Sequence, residues 1–125
     1  MAYQLIWEPR GVMNCLRGFV TGEEFVRSME AIAADERFDN LRFVISDRRE
    51  MVGHSIGPEH LENAAVIRFG SVHTNPNILV LVVTSVADAR RVNELMTERP
   101  LIGSHPTLTF SDMETARTWL AMHLV

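Results

Sequence analysis

Six apolar residues run without interruption from Ile78 to Val83, and four of them are Val or Ile. A strand with one solvent-facing side would alternate polar and apolar residues. An unbroken β-branched run is instead typical of a strand covered on both faces, as in the centre of a parallel sheet. The run is also too short for an ordinary helix or a membrane span. The pattern therefore predicts a central strand at residues 78–83.

Two strands are predicted near the N-terminus. Residues 3–8 alternate around Leu5 and Trp7, and residues 12–20 form a second extended segment after Pro9 and Gly11. Two short strands separated by a few residues that include Pro and Gly are typical of an antiparallel hairpin. Gly18, inside the second strand, indicates a bulge or a close backbone approach.

The first two helices are recognised by their starting residues. Thr21 and Glu24 have the spacing of a capping box, which predicts a helix that fades near Ala34. Pro58 follows Gly57 and suits the first turn of a second helix. Apolar residues at helical spacing predict the core-facing stripe of this second helix: Leu61, Ala64, Ala65, Phe69 and Val72.

Two later helices have similar signals. The S-x-x-D pattern from Ser85 to Asp88 predicts a helix that stops by Pro100. The S-D-M-E sequence from Ser111 to Glu114 predicts a capping box for the last helix. Both helices continue with apolar residues at helical spacing, so each is expected to cover one face of the sheet.

The remaining strands complete an α/β order. Residues 41–47 alternate as a third strand, and residues 107–110 form a short last strand at an edge. Between them, residues 48–57 have no clear period and are interpreted as an exposed loop. The sequence therefore predicts a single domain over residues 1–125. Its five-stranded sheet is mixed and mostly parallel, with a leading antiparallel hairpin and four helices.

Composition excludes some classes of protein. The net charge of −4 disfavours a nucleic-acid partner, for which a basic stripe is expected. The single cysteine, Cys15, allows no internal disulfide and is interpreted as an inert residue facing the core. The N-terminal residues have no basic region followed by an apolar one, and no membrane segment is predicted, so the expected location is the cytoplasm.

Candidate chemistry lies where strands end, because ligands of open α/β sheets gather at the carboxyl ends of the strands. Asp47 ends the third strand, where it suits a metal, a proton transfer or simply the capping of a turn. Arg48 follows it and is interpreted as part of a solvated rim. His54 and Ser55 precede the second helix, where Ser55 is either an N-cap or a hydroxyl placed where a phosphate is favoured.

Motifs for catalysis and cofactors are not found in the sequence. The five histidines include no pair at the i, i+4 spacing of a metal-binding helix. The glycines form neither a dinucleotide-binding nor a Walker pattern, and there is no G-x-S-x-G. We therefore assign no catalytic residue, no metal and no cofactor from the sequence.

The chain resembles the STAS, or SpoIIAA-like, group of small bacterial α/β domains. Four stretches support this resemblance: L-I-W-E-P-R-G-V, F-V-I-S-D, P-N-I-L-V-L-V-V-T and F-S-D-M-E-T-A-R-T-W-L. The fold it implies is a right-handed β/α superhelix with helices packed on the sheet. The architecture is similar to that of CRAL-TRIO lipid-binding domains.

The resemblance also implies a regulatory role. In anti-sigma-factor-antagonist members, a partner kinase phosphorylates a serine at the start of the helix after the third strand, within a D-S-[ST]-G-[LMI] motif. The matching region here reads G-H-S-I-G-P, without that motif, so Ser55 is the only counterpart and Asp47 lies upstream. Domains of this group usually bind other proteins and are not catalysts.

Three functions remain open from the sequence. The first is a regulatory, protein-binding module whose surface includes Asp47, Arg48, His54 and Ser55. The second is a small apolar-ligand, lipid-like binding domain by analogy with CRAL-TRIO architecture. The third is an enzyme that uses Asp47, His54 and either Ser104 or His105. A homodimer is also expected, because the predicted sheet has edges that must be covered or blunted.

Overall fold

The computed structural model describes residues 2–85 and 105–124. The strands are β1 (Tyr3–Glu8), β2 (Gly11–Val20), β3 (Phe43–His54), β4 (Leu79–Val83) and β5 (Thr107–Phe110). The α-helices in the described residues are α1 (Gly22–Ala34), α2 (Pro58–Thr74) and α3 (Met113–His123), and a 3-10 helix spans Glu36–Asn40. The helix predicted to start at Ser85 lies almost entirely outside the described residues. Three of the four predicted helices are therefore observed.

The five strands form one sheet in the order β1-β2-β3-β4-β5. β1 and β2 are antiparallel, whereas β2, β3, β4 and β5 run parallel to one another. The prediction of a mixed, mostly parallel sheet with a leading hairpin is confirmed. Within residues 2–85 and 105–124, no helix is both long enough and apolar enough to cross a bilayer.

β4 is paired on both sides, as the apolar run predicted. Leu81 is opposite Ile45 of β3 and Leu108 of β5. Leu81 and Val83 belong to a core that also contains Phe43, Ile45, Ala116 and Leu120, on the face covered by α3. Val80 packs against a second cluster on the other face, with Val12, Ile32, Phe38, Leu41 and Ile78. The middle strand of the sheet is nevertheless β3, and β4 lies next to it.

The interpretation of residues 48–57 as a loop is wrong for most of the segment, because β3 continues to His54. This second half of β3 pairs with the second half of β2. Two bulges interrupt the pairing: Arg48 and Arg49 together oppose Leu16, and Val52 has no partner in β2. The bulges shift the alternation twice, so the segment shows no period in the sequence. Gly18 lies at the second irregularity with φ of 65°, as its predicted bulge requires.

The helix starts agree with the sequence except in one detail. Thr21 accepts a hydrogen bond from the amide of Glu24 at 3.1 Å, and Glu24 accepts one from the amide of Thr21 at 3.4 Å. This capping box is confirmed, as is the start of α2 at Gly57 and Pro58. The cap of α3 is Asp112 and not Ser111, because the Asp112 carboxylate accepts a 2.7 Å bond from the Thr115 amide.

The predicted core stripe of α2 is wrong for its two largest members. Leu61 is 42% exposed and Phe69 is 55% exposed, while Ala64 is buried. The inner face of the helix instead carries Ala64, Ile67, Arg68 and Ser71. These residues have the i, i+3, i+4, i+7 spacing of one helix face. α2 is therefore rotated about its axis relative to the prediction, and it presents apolar side chains to solvent.

Candidate functional site

Asp47 has a structural partner beside it. Its carboxylate accepts hydrogen bonds from the Arg49 amide at 3.2 Å and from the Arg49 guanidinium at 2.9 Å through each of its oxygens. These bonds lower the pKa of Asp47, although burial opposes the shift. The side chain caps the bulge of β3, which is the turn-type role considered from the sequence. An ionised and fully engaged carboxylate of this kind is poorly suited to accept a proton.

Cys15 is the register partner of Asp47. Its side chain is buried, in agreement with the predicted core role. Burial and the nearby Asp47 carboxylate raise the pKa of the Cys15 thiol. A raised pKa leaves the sulfur protonated, so this cysteine lacks the thiolate that nucleophilic chemistry needs.

Arg48 lies on the opposite face of the sheet from Asp47. Its Nε donates to the Ser46 hydroxyl at 3.2 Å, and its guanidinium is 5.6 Å from the centroid of the Phe25 ring. This arrangement places Arg48 at the wall of a cavity beneath α1 and α2. The residue interpreted as a solvated rim is therefore only partly exposed.

His54 is the last residue of β3, and Ser55 follows it in the turn to α2. The Nδ1 atom of His54 accepts a hydrogen bond from the Ile56 amide at 3.0 Å. The Ser55 hydroxyl accepts one from the Gly22 amide at 3.2 Å, and the Ser55 amide donates to the Val20 carbonyl at 3.0 Å. Ser55 is thus exposed, and its hydroxyl lies next to the first amide of α1. In the chain, Ser55 comes two residues before Gly57, the cap of α2.

The first turns of α1 and α2 meet beside this hydroxyl. His60 of α2 accepts a 2.9 Å bond from the Gly57 amide, and its Nε2 atom is 3.3 Å from a carboxylate oxygen of Glu23 in α1. A Cβ atom built on Gly22 would be 2.1 Å from the His60 ring. Gly22 is therefore required for the close approach of the two helices. The sequence carries no local signal for this role of His60 and Gly22, because it depends on a contact between distant segments.

The predicted residues do not form one cluster. Asp47 and His54 are seven residues apart along β3, which is roughly 20 Å at the rise of a strand. His105 lines the cavity on the face opposite Asp47, and its Nε2 atom contacts the carbonyl oxygen of Asn75. The enzyme hypothesis required Asp47, His54 and either Ser104 or His105 to converge. The structure separates Asp47, His54 and His105, and Ser104 lies outside the described residues.

A cavity of about 100 Å³ lies between the sheet and the inner faces of α1 and α2. Most of its wall is apolar, from Phe25, Met29, Ile32, Ala33, Phe38, Val44, Ile67, Ile78, Val80 and Val82. Among the described residues, the polar ones in the wall are Asn14, Ser46, Arg48, Arg68, Ser71 and His105. An apolar space with a few polar groups is the usual form of a small-molecule site.

The outer face of α2 exposes three apolar side chains, among polar ones that include Glu59 and Glu62. Val66 is 71% exposed and lies between Leu61 and Phe69 along the helix, and the Phe69 ring contacts the ring of His73 at 4.4 Å between centroids. Of the 17 residues of α2, only Ala64 is buried. We call the surface formed by Leu61, Val66 and Phe69 the α2 ridge.

Metal binding receives no support from the part of the chain that the structure describes. In residues 2–85 and 105–124, no three His, Cys, Asp or Glu side chains are close enough together to hold a metal ion.

Comparison with known proteins identifies the fold. No protein-family model and no curated protein matches the chain. The structure of the anti-sigma factor antagonist SpoIIAA in its unphosphorylated form matches with a TM-score of 0.65 and 12% sequence identity, over 98% of this chain and 100% of that one. An uncharacterized protein of the DUF3478 family with a SpoIIAA-like fold, from Shewanella loihica PV-4, matches with a TM-score of 0.58 and 13% identity. That match covers 95% of this chain and 92% of the other.

The chain therefore has the SpoIIAA-like, or STAS, fold that the sequence resemblance implied. At these identities the likeness establishes the fold alone.

Proposed function

We propose that this chain, as one SpoIIAA-like domain, is a non-catalytic regulatory module that binds a protein partner in the cytoplasm. The binding surface consists of the α2 ridge and the adjoining residues His54 and Ser55. The observation that carries the proposal is the exposure of Leu61, Val66 and Phe69 on a helix that has a single buried residue. Val66 and Phe69 are three residues apart and so are neighbours on the helix surface, and a patch of exposed apolar side chains commonly marks an interface.

The energetics of the ridge suit a reversible complex. Complete burial of a fully exposed Val, Leu or Phe side chain contributes about 1.5–3 kcal/mol, and the side chains of the ridge, which are 42–71% exposed, would each gain roughly half of that. Three such side chains supply the apolar centre that protein interfaces require, while the costs of association consume part of this gain. Glu59 and Glu62 are exposed on the same helix, so a partner with an apolar groove and a basic rim fits the surface.

The structural likeness supports a partner that is a protein. The matching SpoIIAA is described as an anti-sigma factor antagonist, a role exercised on another protein. The corresponding role of this chain is regulation by binding, without a chemical step. The bonds that occupy Asp47 and the separation of Asp47 from His105 are consistent with this role.

Charged substitutions on the ridge are expected to abolish partner binding. Val66→Glu and Phe69→Glu, made together, place two carboxylates at the apolar centre and should reduce capture of the partner from an extract of the source cells more than tenfold. Quantitative mass spectrometry of immobilised-protein pull-downs gives the measurement. Met122→Glu on α3 is the matched control, since Met122 is 76% exposed but lies on the other side of the sheet.

The proposal is contradicted if the double variant captures the same proteins as the wild type, or if the Met122→Glu control loses them equally. Light scattering of the purified protein tests the predicted homodimer in the same experiment. A dimer that the double variant abolishes would identify a second copy of this chain as the partner.

Within this proposal, Ser55 is the regulated residue. Phosphorylation would add a charge of about −2 to a hydroxyl that accepts a hydrogen bond from the Gly22 amide. The helix N-termini favour an anion there, but both first turns already carry carboxylates, from Glu23 and Glu24 in α1 and from Glu59 in α2. The added repulsion would loosen the junction between α1 and α2 and so displace the α2 ridge.

Ser55 phosphorylation is tested by intact mass after incubation of the protein with ATP and an extract of the source cells. The wild type is expected to gain the mass of one phosphate. Ser55→Ala should gain none, whereas Ser111→Ala, at another exposed serine, should behave as the wild type. Retention of the phosphate by Ser55→Ala, or its absence from the wild type, would refute the role of Ser55.

The second candidate function is the binding of a small apolar ligand in the cavity beneath α1 and α2. The observation that favours it is the cavity itself, with its largely apolar wall. Its volume of about 100 Å³ is below the 300–1,000 Å³ typical of drug-sized ligands. The lipid-sized ligand suggested by CRAL-TRIO architecture is therefore too large to be enclosed, and the candidate is a small molecule.

A further inference from the structure

Arg68 lies on the inner face of α2, in the wall of the cavity. Its guanidinium makes no hydrogen bond or ion pair with any residue among 2–85 and 105–124. Burial lowers the pKa of Arg68 from its ordinary value, but an arginine remains charged at neutral pH. A partly buried cation without a partner is unfavourable for the protein alone. An anion bound to Arg68 would remove this cost.

Ser71 carries a second unengaged polar group on the same helix face. It follows Arg68 by three residues, so the two side chains are neighbours, with about 5–6 Å between their Cβ atoms, and both line the cavity. A helical serine or threonine often donates to a carbonyl of the preceding turn, as Ser28 and Thr74 do here. The Ser71 hydroxyl makes no such bond, nor any other with the part of the chain that the structure describes. It can therefore donate to a ligand held by Arg68.

The other polar residues that the structure places in the wall are engaged or enclosed. Arg48 donates to the Ser46 hydroxyl, and His105 contacts the carbonyl oxygen of Asn75. The Oδ1 atom of Asn14 has no hydrogen-bond donor among the described residues, but it has almost no accessible surface, so a ligand cannot reach it. Recognition of a ligand therefore depends on Arg68 and Ser71.

The charge and the size of the cavity select the class of ligand. Its described wall contains two arginines, Arg48 and Arg68, and neither Asp nor Glu, so it favours an anion. Its volume is about 100 Å³, whereas an engineered cavity of about 150 Å³ holds the six carbons of benzene, so about four carbons fit. The cavity is partly open to solvent, so such a ligand can enter.

We propose that this cavity binds a short-chain aliphatic monocarboxylate. The carboxylate pairs with the Arg68 guanidinium and accepts a hydrogen bond from the Ser71 hydroxyl, while the alkyl chain contacts the apolar part of the wall. A guanidinium holds a carboxylate through two parallel bonds, which gives geometric specificity as well as affinity. The proposal deepens the ligand-binding candidate above and rests on it.

Three probes separate the charge of the ligand from its chain: pentanoate, pentanamide without the charge, and acetate with only a methyl group for a chain. Binding to the purified full chain is measured by calorimetry and by chemical-shift changes of the cavity methyl groups, in Ile32, Ile67 and Val80. We expect pentanoate to bind at least tenfold more tightly than either pentanamide or acetate, because only pentanoate has both features.

Substitution of the two polar residues provides the residue-level test. Arg68→Met should reduce the affinity for pentanoate at least tenfold and leave pentanamide binding unchanged, since the apolar wall is intact. Ser71→Ala should reduce pentanoate affinity about fivefold, as expected for the loss of one hydrogen bond. Arg68→Gln is a second variant in case Arg68→Met does not fold. Arg27→Met is the matched control, because Arg27 is exposed on α1 and does not line the cavity.

The outcomes separate this inference from the function on which it rests. If pentanamide binds in the cavity as tightly as pentanoate, the site takes neutral ligands and the role of Arg68 is refuted, while the ligand-binding candidate stands. If acetate binds as tightly as pentanoate, the cavity does not hold the chain and the inference is overturned. If none of the three probes shifts the cavity methyl groups, both the inference and that candidate fall. Undiminished pentanoate binding by the Arg68 variants also overturns the inference.

Discussion

Leu81→Ala is expected to lower the free energy of unfolding by about 3 kcal/mol. Leu81 is fully buried in β4 and packs in the core beneath α3. Removal of its side chain loses apolar burial and leaves a cavity that a sheet paired on both sides cannot collapse to fill. For a domain of 125 residues we expect a fall in melting temperature of roughly 10 °C. Urea unfolding followed by circular dichroism measures the free energy of unfolding, and thermal unfolding followed by the same signal measures the melting temperature.

Leu108→Ala is the matched control for this substitution. Leu108 is the register partner of Leu81 in β5, but it is 38% exposed at the edge of the described sheet. The same chemical change should cost about 1 kcal/mol there, because less apolar area is buried. Equal losses at the two positions would mean that β4 does not have the enclosed position described above.

Asn75→Ala is also expected to destabilise the fold by about 3 kcal/mol. The buried Nδ2 of Asn75 donates to the carbonyls of Phe38 and Leu41, at 2.9 and 3.0 Å. Its Oδ1 accepts from the Asn77 amide at 3.2 Å. Alanine would remove these three hydrogen bonds, each of which contributes about 1 kcal/mol, while the Phe38 carbonyl keeps the Leu41 amide as a donor and the Leu41 carbonyl keeps the Arg42 guanidinium. Urea unfolding again provides the measurement.

Asn77→Ala tests whether the effect depends on the side chain of Asn75 or on the composition of the turn. Asn77 is exposed, and its amide, not its side chain, bonds to Asn75. We expect its substitution to change stability by less than about 0.5 kcal/mol. A similar loss at both positions would show that Asn75 acts only through local turn preference, and would contradict its role in joining α2 to the segment before β3.

α2 connects the two proposed binding functions. Its outer face presents the α2 ridge to a protein partner, and its inner face carries Arg68 into the cavity. The arrangement explains why hydropathy alone misassigned the helix, since the usual reading places Leu and Phe inside and Arg outside.

The second half of β3 could not be predicted from the sequence, for a different reason. Arg48, Arg49 and Val52 break the alternation because they belong to bulges, and a bulge is specified by pairing with the neighbouring strand. Residues 48–54 contain two arginines, a glutamate and a glycine, which locally favour a loop. The long β2 strand supplies the hydrogen-bonding partner that makes them extended.

The sequence by itself determined the order of elements, the parallel sheet and the family of folds. Those features follow from local signals, such as the apolar run of β4 and the capping box at Thr21. Such signals predict structure without knowledge of contacts between distant segments. Only the tertiary structure decided the rotation of α2, the junction of Gly22 with His60 and the placement of Arg68 and Ser71 in a cavity wall shared with α1 and the sheet. Each of these joins residues far apart in the chain, and their packing depends on the shape of the whole domain.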